Sequence, residues 1–138
     1  MESILYVLDS MHMPLLIDQS NVHWDEPYDW SQIYRLCKEF NNIPVIIIRQ
    51  GMLASRNLYP LLKKFDNLFL EMSYFQVNRG LEDVRNKFGA SRLIFGTGMP
   101  VYDPRIPITS IVFSRLSKKE KLMVAGDNLR NLLKGVKL

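Results

Sequence analysis

Pro44-Val-Ile-Ile-Ile-Arg-Gln-Gly51 starts with a proline, runs through four consecutive β-branched residues and turns polar abruptly at Arg49. A strand with one wet face alternates apolar with polar residues. A run without alternation is a strand covered on both faces, as in a parallel sheet flanked by helices. Three further runs share the pattern: Pro14-Leu-Leu-Ile17, Leu68-Phe-Leu70 and Leu93-Ile-Phe95. The four begin about 23 to 30 residues apart, which leaves room for one helix in each interval.

Helical patterns fill those intervals. Asp29 is placed to cap a helix carrying Ile33, Leu36, Cys37 and Phe40 on one face. Ser55 is placed to cap one carrying Leu58, Leu61, Leu62 and Phe65, with Pro60 expected near its first turn. Asn78 precedes a third, with Leu81, Val84 and Phe88, and Gly89 stands where a positive-φ terminator is expected. Ile4 to Met11 reads as an opening helix ending at His12, where a basic side chain suits the helix dipole. After the fourth strand come a proline-rich loop, Pro100 to Pro107, and a helix from about Thr109. Ser117-Lys-Lys-Glu120 is a capping box, and Gly126-Asp127 is read as a break that recaps a last helix.

The expected order is α-β-α-β-α-β-α-β-α-α-α in one domain over 1–138, with 106–138 as its C-terminal helical segment. Strands alternating with helices mean a parallel sheet with right-handed crossovers. A small doubly wound sheet and four units of a (β/α)8 barrel both fit. The barrel usually needs roughly 250 residues, and this chain has 138.

Composition narrows the function classes. Lys and Arg number 18 and Asp and Glu 14, for a net charge of +4, but residues 115–138 hold seven basic and two acidic side chains, so the positive excess is a property of the C-terminal segment. No aromatic residue is interleaved with those basic groups, so no nucleic-acid partner is expected. No apolar run is long enough to span a bilayer, and the opening MESILYVLDSMH has no basic n-region, so neither membrane nor secretory signal is expected. The single cysteine, Cys37, excludes a disulfide framework and fits a reducing, cytoplasmic compartment. It sits at a helical core position and reads as a small buried hydrophobe. With only His12 and His23, a three-histidine metal site in one chain is excluded.

Ligands of parallel α/β sheets meet the C-terminal strand ends. Those ends read Asp18-Gln19-Ser20, Arg49-Gln50-Gly51, Glu71-Met72-Ser73-Tyr74 and Gly96-Thr97-Gly98-Met99. Asp18 and Glu71 are candidate proton-exchanging or metal-binding carboxylates, with Asp103 as a third catalytic candidate from the following loop. Arg49, Gln50, Ser73, Tyr74, Arg79, Thr97 and Gly98 are candidate contacts for a small anionic ligand, joined by Arg105. His23, in Asn21-Val-His-Trp-Asp-Glu26, is placed with Asp18 as a candidate mixed metal site. The competing reading is a charge network that only orients the loops.

The stretch from about Asn67 to Leu133 resembles the C-terminal part of amidohydrolase-superfamily, metal-dependent hydrolases of the TIM-barrel type, the amidohydrolase 2 group. The resemblance rests on Asn67-Leu-Phe-Leu-Glu-Met-Ser73, on Phe88-Gly-Ala-Ser-Arg-Leu-Ile-Phe-Gly-Thr-Gly-Met-Pro100 and on Ala125-Gly-Asp-Asn-Leu-Arg-Asn-Leu-Leu133. It implies a half-barrel carrying strands five to eight, a divalent cofactor (zinc or manganese), and metal ligands closing strands five and six. Asp18 and Arg49 stand in those places, and Gly98 stands where the family's proton-transferring aspartate would be. Two functions follow: a divergent or partial hydrolase, or a non-catalytic half-barrel that holds an anionic ligand or a partner at the same mouth. Four strands cut from a barrel also leave two open edges, so a homodimer closing the barrel, or a separate N-terminal half-barrel chain, is the expected partner.

Overall fold

The structure is a computed structural model and describes residues 2–19, 29–51 and 55–137. Helices alternate with strands in the order α1 (Glu2–Met11), β1 (Leu15–Asp18), α2 (Trp30–Glu39), β2 (Val45–Ile48), α3 (Ser55–Lys64), β3 (Leu68–Glu71), α4 (Gly80–Phe88) and β4 (Leu93–Ile94). Three helices close the chain: α5 (Arg105–Phe113), α6 (Lys118–Leu122) and α7 (Asn128–Lys134). The strands form one parallel sheet in the order β1-β2-β3-β4. Consecutive neighbours all running the same way are the topology of a barrel wall. A doubly wound sheet would reverse its order at a switch point.

The non-alternating runs are explained by what each face meets. Val45, Ile47, Leu68, Leu70 and Leu93 point toward the helices and are fully buried with Ile33, Cys37, Leu58, Leu62 and Val84. Burying one such side chain contributes about 1.5–3 kcal/mol. The opposite face carries Leu16, Ile46, Ile48 and Ile94, which line an open groove of about 380 Å³. Both faces are therefore apolar, although only one is a packed core.

Local signals set most helix ends. Asp29 accepts from the Ser31 amide at 2.9 Å. Ser117 and Glu120 exchange both bonds of the capping box, at 2.7 and 3.2 Å. The carboxylate of Asp9 accepts from the backbone and side-chain amides of Asn42, both at 3.0 Å, and ties α1 to the loop before β2. The Asn67 side-chain amide donates to the carbonyls of Cys37, Phe40 and Ile43, and so closes the C-terminus of α2.

Some ends differ from expectation. α4 is preceded by Arg79 in the left-handed region, φ 52, rather than capped by Asn78. Pro60 falls in the middle of α3, where its ring removes the bond that would run to the Arg56 carbonyl. Gly126-Asp127 does not break the chain: Met123–Asp127 is one π-helical turn joining α6 to α7, and Asp127 makes no cap bond. Residues after α7 reach the end of α1, where the Lys137 amide donates to the Met11 carbonyl at 2.8 Å. Among the described residues no helix is long and apolar enough to cross a membrane.

Candidate functional site

Three strands each deliver one polar group to the same end of the sheet: Asp18 ends β1, Arg49 follows β2 and Glu71 ends β3, while Gly96 lies two residues past β4. Arg49 takes a left-handed backbone, φ 55. That conformation costs a non-glycine residue roughly 1–2 kcal/mol. It turns the Arg49 amide toward Glu71 Oε2, at 3.2 Å, while the guanidinium reaches Asp18, with Nε donating to Oδ1 at 2.9 Å and Nη2 pairing with Oδ2.

Glu71 is buried, and an unpaired carboxylate there would cost several kcal/mol. Three donors satisfy it: the Arg49 amide, the Ser73 amide on Oε1 at 2.7 Å and the Ser73 hydroxyl on Oε2 at 2.7 Å. Gly96 makes room for it. A Cβ on Gly96 would lie 2.1 Å from Glu71 Oε1. Gly98, at φ 69, is likewise pressed against Tyr102 and Ser73. Tyr102 stacks on Tyr74 with ring centroids 4.6 Å apart, and Tyr74 lies against Gly51.

The sheet thus brings together Asp18, Arg49, Glu71, Ser73 and Gly98, with Tyr74 beside them. Gln50 is buried next to them; its amide donates to the Gly51 carbonyl, and its carbonyl oxygen has no partner among the described residues. Thr97 accepts a long bond from the Met99 amide, 3.4 Å, within its own loop. Two candidates are drawn elsewhere. Asp103 is engaged by Arg105 through the Arg105 amide and guanidinium, which holds its carboxyl down at about 2 and occupies Arg105 as well. Arg79 lines a separate groove at the start of α4 with Glu82, Arg85 and Arg115. His12 adopts φ 53 beyond α1, and its ring nitrogen meets Lys137 Nζ. His23 lies outside the described residues.

Sequence reasoning named Asp18, Arg49 and Glu71, with a charge network among them as the competing reading; the structure pairs Arg49 with both carboxylates. Sequence reasoning missed Asn128, buried beneath β4, whose side-chain amide donates to the carbonyls of Ala90 and Leu93 at 2.9 and 2.8 Å. The only signal for it was its place in the closing helix motif. The next residue, Leu129, lines the groove.

The implied divalent metal does not fit these residues. Among the described residues no group of three or more His, Cys, Asp or Glu side chains could hold one. The guanidinium of Arg49 already neutralises Asp18, and a cation placed there would meet that fixed charge. Both oxygens of Glu71 are filled by internal donors.

No protein-family model matches the sequence, and no curated protein does. Among solved structures, a 2,6-dihydroxybenzoate decarboxylase complexed with 2,6-dihydroxybenzoate matches over 96% of this chain and 54% of its own, at 14% identity and a TM-score of 0.69. A 2,6-dihydroxybenzoate decarboxylase from Rhizobium matches over 92% and 53%, also at 14% identity, with a TM-score of 0.66. The chain spans about half the length of the solved structures it matches. Parallel strands in consecutive order, a polar mouth at their C-terminal ends and this match together give the chain the fold of about half of a (β/α)8 barrel.

Proposed function

We propose that the chain is a metal-independent binding module for a small carboxylate with an apolar body, rather than a metal-dependent hydrolase. The observation that carries this reading is the guanidinium of Arg49 at the rim of an apolar groove, engaged among the described residues by a half-exposed Asp18. A groove of about 380 Å³ lies within the usual 300–1,000 Å³ range of small-ligand sites. A guanidinium binds a carboxylate through two parallel N–H donors. Glu71 does not compete for the guanidinium, since the donors it accepts from are backbone amides and a hydroxyl. Asp18 does compete, so the ligand's carboxylate takes its place on Arg49 as Asp18 turns to solvent. The neighbour complexed with 2,6-dihydroxybenzoate supports an aromatic carboxylate as the first candidate ligand.

The reading has a signature in opposing variants. Titrating benzoate and 2,6-dihydroxybenzoate by calorimetry, Arg49→Ala is expected to weaken binding at least tenfold, on the scale of about 1.5–3 kcal/mol for a charged hydrogen-bonded partner. Asp18→Asn removes the competitor and is expected to tighten it. Zinc or manganese is expected to change neither affinity nor thermal midpoint. Stoichiometric metal binding that Asp18→Ala abolishes would overturn the proposal in favour of the hydrolase.

A further inference from the structure

Of the nine arginines, Arg49, Arg92, Arg105 and Arg130 each hydrogen-bond a carboxylate. Three of the other five, Arg79, Arg85 and Arg115, come together around one open groove of about 350 Å³. Arg79, Glu82, Asp83 and Asn86 stand at i, i+3, i+4 and i+7, so they line one stripe of α4. Leu81 and Val84 hold the opposite side of the helix in the core. Arg115, between α5 and α6, is tied to that stripe by its backbone amide, which donates to Glu82 Oε1 at 2.6 Å. This groove shares no lining residue with the one at the strand ends.

The carboxylates at hand are committed to other donors. Asp83 accepts from Lys87 Nζ at 2.9 Å, and Glu82 holds the Arg115 amide. Glu120 Oε2 accepts from the Ser117 amide at 2.7 Å, while its Oε1 stays 3.6 Å from Arg85 Nε, a loose ion pair. That Nε is buried and has no hydrogen-bond partner among the described residues. The guanidiniums of Arg79 and Arg115 make no hydrogen bond or ion pair among the described residues. The groove is lined among those residues by charged and amide side chains alone, so an apolar ring of the kind proposed for the strand ends finds nothing here to bury it.

We infer that this groove binds the phosphate monoester of a small hydroxylated molecule, with the phosphate held by Arg79 and Arg115 and backed by the charge of Arg85. Such a phosphate carries about −1.5 to −2 charge at neutral pH and offers three strong acceptor oxygens. Guanidiniums meet it with paired N–H donors. Asn86 and Glu82 Oε2 are left for the hydroxyls of its body.

Titrating the full chain with glycerol 3-phosphate by calorimetry at physiological ionic strength is expected to give saturable one-to-one binding in the millimolar range or tighter. Glycerol alone is expected to give none. Arg79→Gly removes a guanidinium at a φ of 52, which glycine adopts freely, and Arg115→Ala keeps the backbone amide that Glu82 accepts. Both variants are expected to keep the native circular dichroism and to bind about tenfold more weakly. Arg56→Ala removes the same charge from α3 and is expected to leave binding unchanged. Absence of saturable binding overturns the inference. So does equal weakening by Arg56→Ala, which would mean attraction to net charge alone, and so does a phosphoserine peptide that binds more tightly than glycerol 3-phosphate.

Discussion

Glu71 shows how a charge is kept inside this sheet. Its two oxygens accept three internal donors, and Gly96 leaves the space its carboxylate fills. In Glu71→Gln, the amide nitrogen turns a donor toward one of those donors. The expected cost is about 1–3 kcal/mol, read as a lower urea midpoint with an unchanged slope. Gly96→Ala drives a methyl into the same carboxylate and is expected to cost a similar amount. Cys37 tests the helix-facing core. Burial pushes its thiol up from 9.0 to about 12. An acid whose folded value is raised holds its proton more tightly in the native state, so its contribution to stability is lost as pH rises from about 9 toward 12. Native protein at pH 8 is therefore expected to resist iodoacetamide, and unfolded protein to react within minutes. That Asp18, Arg49 and Glu71 belong to one place was legible, because strand ends converge. A charge network among them was one of two readings open in the sequence; how Arg49 makes it depends on its left-handed backbone, which sequence pattern does not mark.

Helices and strands were legible wherever the local rule was also the winning one. Asp29 and the Ser117–Glu120 box cap as their residue types require. Pro60 stands in the middle of α3 because Leu58, Leu61 and Leu62 are buried on one face, and that packing outweighs one missing backbone bond. The 123–127 segment is continuous for a similar reason. Its π turn lets the Val124 carbonyl accept from the Phe95 amide at the end of β4 while Asn128 reaches under the strand. Gly126 permits the turn but does not break it. Asn128→Ala leaves the carbonyls of Ala90 and Leu93 without these donors. It is expected to cost about 2–3 kcal/mol, seen as a thermal midpoint lowered by several degrees. Arg92 is a comparable buried anchor that the strand pattern did not reveal: it donates to the Leu68 carbonyl at 2.9 Å and to the Asp66 carboxylate at 2.7 Å.

Across the chain, the sheet has two apolar faces and only one full set of covering helices. This asymmetry separates what could be read from what could not. Residue order dictates parallel strands, alternating helices, polar strand ends and a length close to half of a barrel. Each of these follows from side-chain periodicity and turn chemistry acting over a few residues. The tertiary structure decided the strand order, the neutralisation of Asp18 by Arg49, and the diversion of Asp103 to Arg105 and of Arg79 to another groove. These are contacts between residues some 20 to 125 positions apart, or choices among partners equally near in sequence. Periodicity carries no information about them, because burial and charge pairing are settled only when the strands lie side by side.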